Sequence, residues 1–379
     1  MMTEFIDPAP DRPIDAARFL GLLNLTPILA TLEEFYREPW RHRHPPEAML
    51  RLVALYKLKR LRFLTELWRL LDDETLGLLG FKWRPSYKTV WHWLNVRLGP
   101  EGLETVHGAL MRAVNEALKD HGICLGLEVA GDASPIEARP MDPEAGYNGY
   151  YKKLCYLVHR LVCRITNLTL SWGVTPGNVD ETYLMPPLFV KAILLGVMPE
   201  EACFDNGYAS PWSYALLGLM GVKPRIGFRK NAKLGWRGKP GTLRLRFRKM
   251  VNAGLLNPDR LQALDLDPDP DRNSLEEILS GLMIAGQHEY VGAYYRNTSL
   301  NEFCRDQLRW LKLYVSMRNV VEGSHGHQKD WLDLDNLRVR GLRRARLHTA
   351  LSMLSEAMVA YTRVQNSVVE RLTSLASLT

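Results

Sequence analysis

The hydrophobic period of this 379-residue chain changes at Cys124, and helical spacing resumes near Leu300. Before Cys124, apolar residues recur at helical spacing. Pro46 to Leu71 (PEAMLRLVALYKLKRLRFLTELWRLL) sets Leu, Val and Trp three or four residues apart with Lys and Arg between them. After it, apolar residues come in short runs that suit buried strands. CLGLEVAGDASPIEA carries Asp132, and EACFDNGY ends on Asp205. HRLVCRI and LTLSWGVTP read as two further strands, followed by a helix over Tyr183 to Leu195. A helix from Pro211 to Leu219 then leads into the strand KPRIGFR. The order βββαβαβ predicts a mixed α/β fold. The domains expected are a helical one over 1–122, the mixed core over 123–230 and 300–345, a basic insertion over 231–299 and a C-terminal helix over 346–379.

A length of 379 residues suits two or three domains, and a hydrophobic share of 46% excludes wholesale disorder. The net charge of +7 suits a polyanionic partner, nucleic acid first. The five cysteines form no CxxC pair, which argues against a zinc site, and their odd, scattered spacing argues against a disulfide framework. The first residues have no basic segment followed by an apolar one, and no long apolar run lacks charge. The expectation is a cytoplasmic protein with no membrane partner.

Within the helical leader a break is expected at Asp72–Asp73. RPSYKTVWHWLNVRLG then offers Ser86 as a helix cap, with Val90, Trp91, Trp93 and Leu94 on or near the packed face. Two arrangements fit: a helix-turn-helix whose second helix enters a DNA groove, or a bundle that only packs.

Asp132, Asp205 and Glu322 are the candidate catalytic trio. The first two lie in or at the end of strand-like runs, the third in the helical stretch LRWLKLYVSMRNVVEGS. Converging carboxylates suit Mg²⁺ or Mn²⁺, which prefer oxygen ligands. Two such ions about 3.5–4 Å apart serve phosphodiester chemistry. Spacing alone is weak among 42 acidic residues, and either aspartate could instead cap a turn. The neighbours of Glu322 say more. On a helical wheel Arg318, Lys329 and Tyr314 fall roughly 40°, 20° and 80° from it, a grouping suited to gripping a phosphate. The competing reading is an Arg–Glu surface pair, and Gly323 and Gly326 weaken the helix beyond it.

Residues 223–249 hold eleven Lys or Arg, Lys230 among them, and no acid. In TLRLRFRKM a strand would put Arg244, Arg246 and Arg248 on one face, either as a DNA-backbone platform or as a charged solvated edge. Trp236 is a candidate for stacking on a base or for ordinary packing. Arg338, Arg340, Arg343, Arg344 and Arg346 form a second basic cluster. His159 reads as a buried core histidine or a neighbour of the metals, and His325 and His327 as loop residues, with metal or phosphate binding as the alternative.

These motifs together resemble the DDE transposases of bacterial and archaeal insertion sequences, in the branch with a Tyr-Arg-Glu-Lys signature. That signature is Y-x2-R-x3-E-x6-K. Arg318, Glu322 and Lys329 match its spacing, while Tyr314 is one residue early and Val315 holds its position. GDASPIEA resembles the first-Asp motif, and FDNGY followed by LLGLMGVKPRIGFRKN the second. YKKLCYLVHR with LSWGVTPGNVDET resembles the run between them, with Val179–Asp180 where His-Asp is expected. KDWLDLDNLRVRGLRRARLH resembles the tail after the glutamate, and HPPEAMLRLVALYKLKRLRFLTEL the helical leader. The resemblance covers residues 45–230 and 300–365 in order.

The resemblance implies a ribonuclease H-like core in which Asp132, Asp205 and Glu322 bind two metal ions. It implies DNA contacts by Arg318, Lys329 and Tyr314, a partner DNA with terminal inverted repeats, a target DNA, and a homodimer in the complex. The implied reaction is hydrolysis at the element ends followed by strand transfer. A nucleoid-associated location follows from it. The alternatives are a degenerate or repurposed copy that binds DNA without cutting, and a nuclease with no strand-transfer step.

Overall fold

The computed structural model describes residues 16–36, 44–208, 213, 217, 220–226 and 305–374. The insertion over 231–299 lies outside them, and with it Arg244, Arg246, Arg248 and Trp236. So do Lys230 and most of the helix expected over 211–219.

The first part is helical, as its period requires: α1 (Ala16–Gly21), α2 (Leu29–Glu33), α3 (Pro46–Leu58), α4 (Leu64–Leu70), α5 (Asp73–Leu79), α6 (Tyr87–His92) and α7 (Gly99–Lys119). The run over Pro46–Leu71 is two helices rather than one. Arg60 adopts φ 50°, and the Glu66 carboxylate accepts from the backbone N–H groups of Arg62 (2.7 Å) and Phe63 (3.3 Å), which starts α4 anew. The break at Asp72–Asp73 is present, with Asp72 capping α5 through the Thr75 N–H at 2.7 Å. Ser86 caps α6 as expected, accepting from the Thr89 N–H at 3.1 Å. Val90, Trp93 and Leu94 are buried, but Trp91 faces outward, 46% exposed. One turn of π-helix over Trp93–Leu98 follows α6.

The second part is a mixed α/β unit. Its strands are β1 (Glu128–Glu137), β2 (Gly146–Asn148), β3 (Lys153–Cys163), β4 (Thr169–Pro176), β5 (Glu201–Phe204) and β6 (Lys223–Ile226), with α8 (Met185–Ile193) between β4 and β5. The short β2 lies in a segment that carried no strand signal. The sheet order is β2-β3-β1-β5-β6, with β4 alongside β3 on the same edge as β2. β3 runs antiparallel to β1 and β4, whereas β1, β5 and β6 run parallel.

Two long helices complete the fold, α9 (Arg305–Leu332) and α10 (Leu342–Gln365). α9 runs unbroken through Gly323 and Gly326, so the weakening expected there does not interrupt it. Met317, Val321, Ser324, His325, Gln328 and Leu332 are buried along one side of it. That stripe has helical spacing and is half polar, and its tertiary contacts outweigh the modest glycine penalty.

α10 is buried almost all round from Ala345 to Val364, between α1, α3 and α7 on one side and β3 and β4 on the other. A helix covered on every side has no solvent stripe to display. Its buried hydroxyls are satisfied locally: Ser355 and Thr362 donate to the carbonyls of Leu351 and Met358, each at 2.8 Å. Its start is held by acids of the β1–β2 connection. The Gly341 and Leu342 N–H groups donate to Asp142 (2.9 Å) and Glu144 (2.8 Å), where the helix dipole favours negative charge. One apolar core runs from Ala16 to Leu372 and includes both the helical leader and the sheet.

The tightest point in the sheet is Gly131 of β1, paired with Phe204 of β5. A Cβ on Gly131 would overlap the Phe204 ring. Gly131→Ala is therefore expected to destabilise the fold by about 1–3 kcal/mol. Gly323→Ala, on α9 with nothing within 4 Å of the added carbon, is expected to be neutral or stabilising by up to about 1 kcal/mol. Urea unfolding of both variants checks this, and equal midpoints would contradict it.

Candidate active site

β1 and β5 carry the two aspartates into place. Their parallel ladder ends at the pair Gly131 and Phe204, and the next residue on each strand is an aspartate. Neighbouring strands lie about 4.8 Å apart and in-register residues share a face, so Asp132 and Asp205 stand side by side on one face of the sheet. The same face carries Ala130 and Cys203, two residues earlier on each strand, and both pack against Met317 and Val321 of α9. The sheet thus brings α9, and with it Glu322, over the aspartates.

The groups that meet there are unequal. Asp132 is 15% exposed, and its Oδ1 accepts from the Ala133 N–H at 2.9 Å. Arg318 reaches it from α9, with Nη1 3.1 Å from Asp132 Oδ2, and its Nη2 donates to Glu322 Oε1 at 2.9 Å. One guanidinium therefore bridges two of the three expected acids. Glu322 itself is 58% exposed. Asp205 is held in a turn, its Oδ1 accepting from the Gly207 N–H at 2.5 Å. The carboxyl of Asp132 is pushed up to about 6, by burial first, against the opposing pull of Arg318 and with a further push from the charge of Asp205.

Two residues of the site were not foreseen as members. Glu181 stands beside the Asp205 turn: a Cβ on Gly207 would meet Asp205 Oδ1 at 2.7 Å and Glu181 Oε2 at 3.0 Å. Its only signal in the sequence is its place next to Val179–Asp180. His325, expected in a loop, is inside α9, buried against the backbone of Asp132 and held neutral by that burial. His159 takes the core reading. It is fully buried on β3, with Nε2 2.9 Å from the Thr175 hydroxyl. It pairs with Ala133, one step from Asp132, so strand alternation turns it to the opposite face.

Lys329 is not at the acids; it pairs with Asp335 at 3.1 Å. Tyr314 belongs to α9, and its side chain lies outside the described residues. In the arginine cluster, Arg346 pairs with Glu101 (3.0 Å), and Arg343 donates to the Asn95 carbonyl (2.8 Å), both within the helical layer.

Beside Asp132, on the same face of the sheet, lies a buried polar layer. Arg160, opposite Asp132 in the β1–β3 ladder, is fully buried and donates to the Thr169 hydroxyl at 3.3 Å. Glu356 of α10 accepts from the Thr169 N–H (3.0 Å) and from Gln328 of α9 (2.7 Å). Both long helices are thereby tied to the sheet beside the site.

The available chemistry follows. Burial pushes the Cys203 thiol up to about 12 and raises the phenols of Tyr151 and Tyr208, so none is a ready nucleophile at neutral pH. The ionised groups are carboxylates, whose oxygens suit a hard divalent cation. Among the described residues no three His, Cys, Asp or Glu side chains are arranged to hold one ion. Arg318 lies between two of the acids. Asp132 and Glu322 offer oxygen donors of the kind such a cation takes, and in this structure Arg318 lies between them.

The raised value at Asp132 has a stability consequence. Its folded-state value of about 6 exceeds the ordinary 3.8. Its favourable contribution is complete below pH 4 and is lost as pH rises through 6. Asp132→Asn is therefore expected to be the more stable protein at pH 7.5, by on the order of 1–3 kcal/mol, with the advantage shrinking to zero near pH 4. Thermal melts across that range check this; a less stable variant at pH 7.5 would contradict it.

No protein-family model matches the chain and no curated protein is significantly similar to it, so the reading of this site rests on its own residues.

Proposed function

We propose that this chain is a DDE-type DNA transposase with a ribonuclease H-like core, cutting DNA phosphodiesters with Mg²⁺ or Mn²⁺ held by Asp132, Asp205 and Glu322. The observation that carries the reading is the register of β1 and β5. It sets two acids from distant parts of the chain on one sheet face, below a helix that adds a third acid and an arginine. The strand order, with antiparallel β3 on one side of β1 and parallel β5 and β6 on the other, supports the ribonuclease H-like assignment.

Bound ions would polarise the scissile phosphate and activate the attacking oxygen. The chain's own groups do the rest. Asp132 and Asp205, on neighbouring strands, fix the ligand geometry before substrate arrives, and rigid placement of this kind lowers a reaction barrier without further reorganisation. Arg318 supplies a forked donor for phosphate oxygens. Buried His325 and the Arg160–Thr169–Glu356–Gln328 layer pack beside Asp132 and hold its surroundings in place.

The helical leader supports a nucleic-acid partner. Trp83, Tyr87 and Trp91 are exposed beside the exposed Lys82, Arg84 and Lys88, with no acid from Phe81 to Arg97. Aromatic faces among cations suit bases and phosphates. Among the described residues no helix is long and apolar enough to cross a membrane.

A second reading, DNA binding without cutting, draws on the tyrosine being one residue out of register and on Arg318 lying between the acids. The test uses supercoiled DNA that carries the sequences flanking the gene. The transposase reading predicts nicked and joined products only with Mg²⁺ or Mn²⁺, and a loss of at least about a hundredfold in rate for Asp132→Ala, Asp205→Ala and Glu322→Ala. Cleavage that persists in all three variants would remove the site assignment. Metal-independent binding with no cleavage supports the second reading, and cutting without joined products supports a nuclease.

A further inference from the structure

We propose that Arg318 is a built-in stand-in for the site's cation. It holds Asp132 and Glu322 together until a divalent ion displaces it, so ion entry and release of the guanidinium are one coupled event. The inference rests on the reading of these acids as ion ligands and adds a step that precedes DNA cutting.

The geometry points this way. A guanidinium facing one carboxylate commonly gives it both arms of its fork. Here the arms are divided, Nη1 to Asp132 at 3.1 Å and Nη2 to Glu322 at 2.9 Å. That is the bridging position a cation shared by the two carboxylates would take. The charges around it agree. Asp205 and Glu181 add negative charge on the same side, and Lys329 is engaged with Asp335. Arg160 stands beside Asp132 on the same face and acts on it electrostatically, but it is fully buried and donates to the Thr169 hydroxyl. Among the described residues, Arg318 is the α9 cation paired with these acids.

The exchange requires no movement of the fold. The buried side of α9 fixes its backbone, whereas Glu322 is 58% exposed and Arg318 ends a flexible side chain. A Cβ on Gly323 or Gly326 would meet nothing within 4 Å among the described residues, so none of them crowds the helix surface beside Glu322. A displaced guanidinium has room to swing there and would present its fork to an incoming phosphate. By linkage, any group that must leave before an ion binds lowers the ion's apparent affinity.

The sign of one substitution separates this from a cementing role. If Arg318 only held the acids in place, removing it would scatter them and weaken ion binding. If it competes with the ion, removing it strengthens binding. The experiment is calorimetric titration of the full chain with Mn²⁺, without DNA, for wild type, Arg318→Gln, Arg318→Lys and Asp132→Asn. Arg318→Gln is expected to bind roughly tenfold more tightly than wild type, with Arg318→Lys between them. Unchanged or weaker binding in Arg318→Gln overturns the proposal. Asp132→Asn is expected to lose binding. If it keeps wild-type affinity, the reading of the acids as ion ligands fails as well; if it loses binding while Arg318→Gln gains none, the stand-in role alone fails. A measurement on wild type covers the case in which the variants do not fold. The Arg318 side-chain N–H resonance is expected to shift on adding Mg²⁺, and its remaining in place at saturating Mg²⁺ overturns the proposal.

Discussion

The parallel ladder between β1 and β5 decides where everything else in the site can be. It closes because residue 131 has no side chain, which lets the Phe204 ring lie across β1. With that pair in place, the next residue on each strand is an aspartate, and the period of two along a strand turns both to one face. A shift of one residue in either strand would send one carboxylate into the apolar face that holds Val129, Ala202 and Phe204. The glycine that fits a phenylalanine is thus also the residue that brings two acids together.

A buried carboxylate beside a second one is costly, and the surroundings are organised around that cost. Asp132 is raised to about 6 despite Arg318, which measures how far burial and Asp205 outweigh the ion pair. The polar stripe of α9, the sealed Arg160 and the Glu356 of α10 form a layer that tolerates charge beside it. α10 ties this layer to the helical leader, which it also packs against. Under the proposed function, a leader that contacts DNA and a site that cuts it share one apolar core. The proposed exchange at Arg318 would then convert a stored ion pair into a phosphate-binding group when an ion arrives.

Much of this was legible locally. Strands around Asp132 and Asp205, the break at Asp72–Asp73, the cap at Ser86, and the helix through Glu322 all follow from residues close in sequence. What was not legible depends on contacts across the chain. The α9 stripe alternates Met, Val and Leu with Ser, His and Gln, so no apolar period announced it, and His325 read as a loop residue beside two glycines. Trp91 read as a packed residue because its neighbours Val90 and Trp93 are packed, yet the helix turns it outward. The ion pair from Arg318 to Asp132 joins elements far apart in sequence and is invisible to spacing, whereas its pair with Glu322, one helical turn away, was the competing reading of that helix. Lys329 fell on the right side of a helical wheel but found a nearer partner in Asp335.

The central claim is that Asp132 and Asp205, neighbours across two parallel strands, form a divalent-cation site with Glu322 above them. Anomalous diffraction from crystals of the full chain soaked in Mn²⁺ tests it most directly. A peak is expected among the carboxylates of Asp132, Asp205 and Glu322, with the Arg318 side chain moved off Asp132. A peak elsewhere on the chain, or no peak with the Asp132–Arg318–Glu322 bridge intact at saturating Mn²⁺, would contradict it.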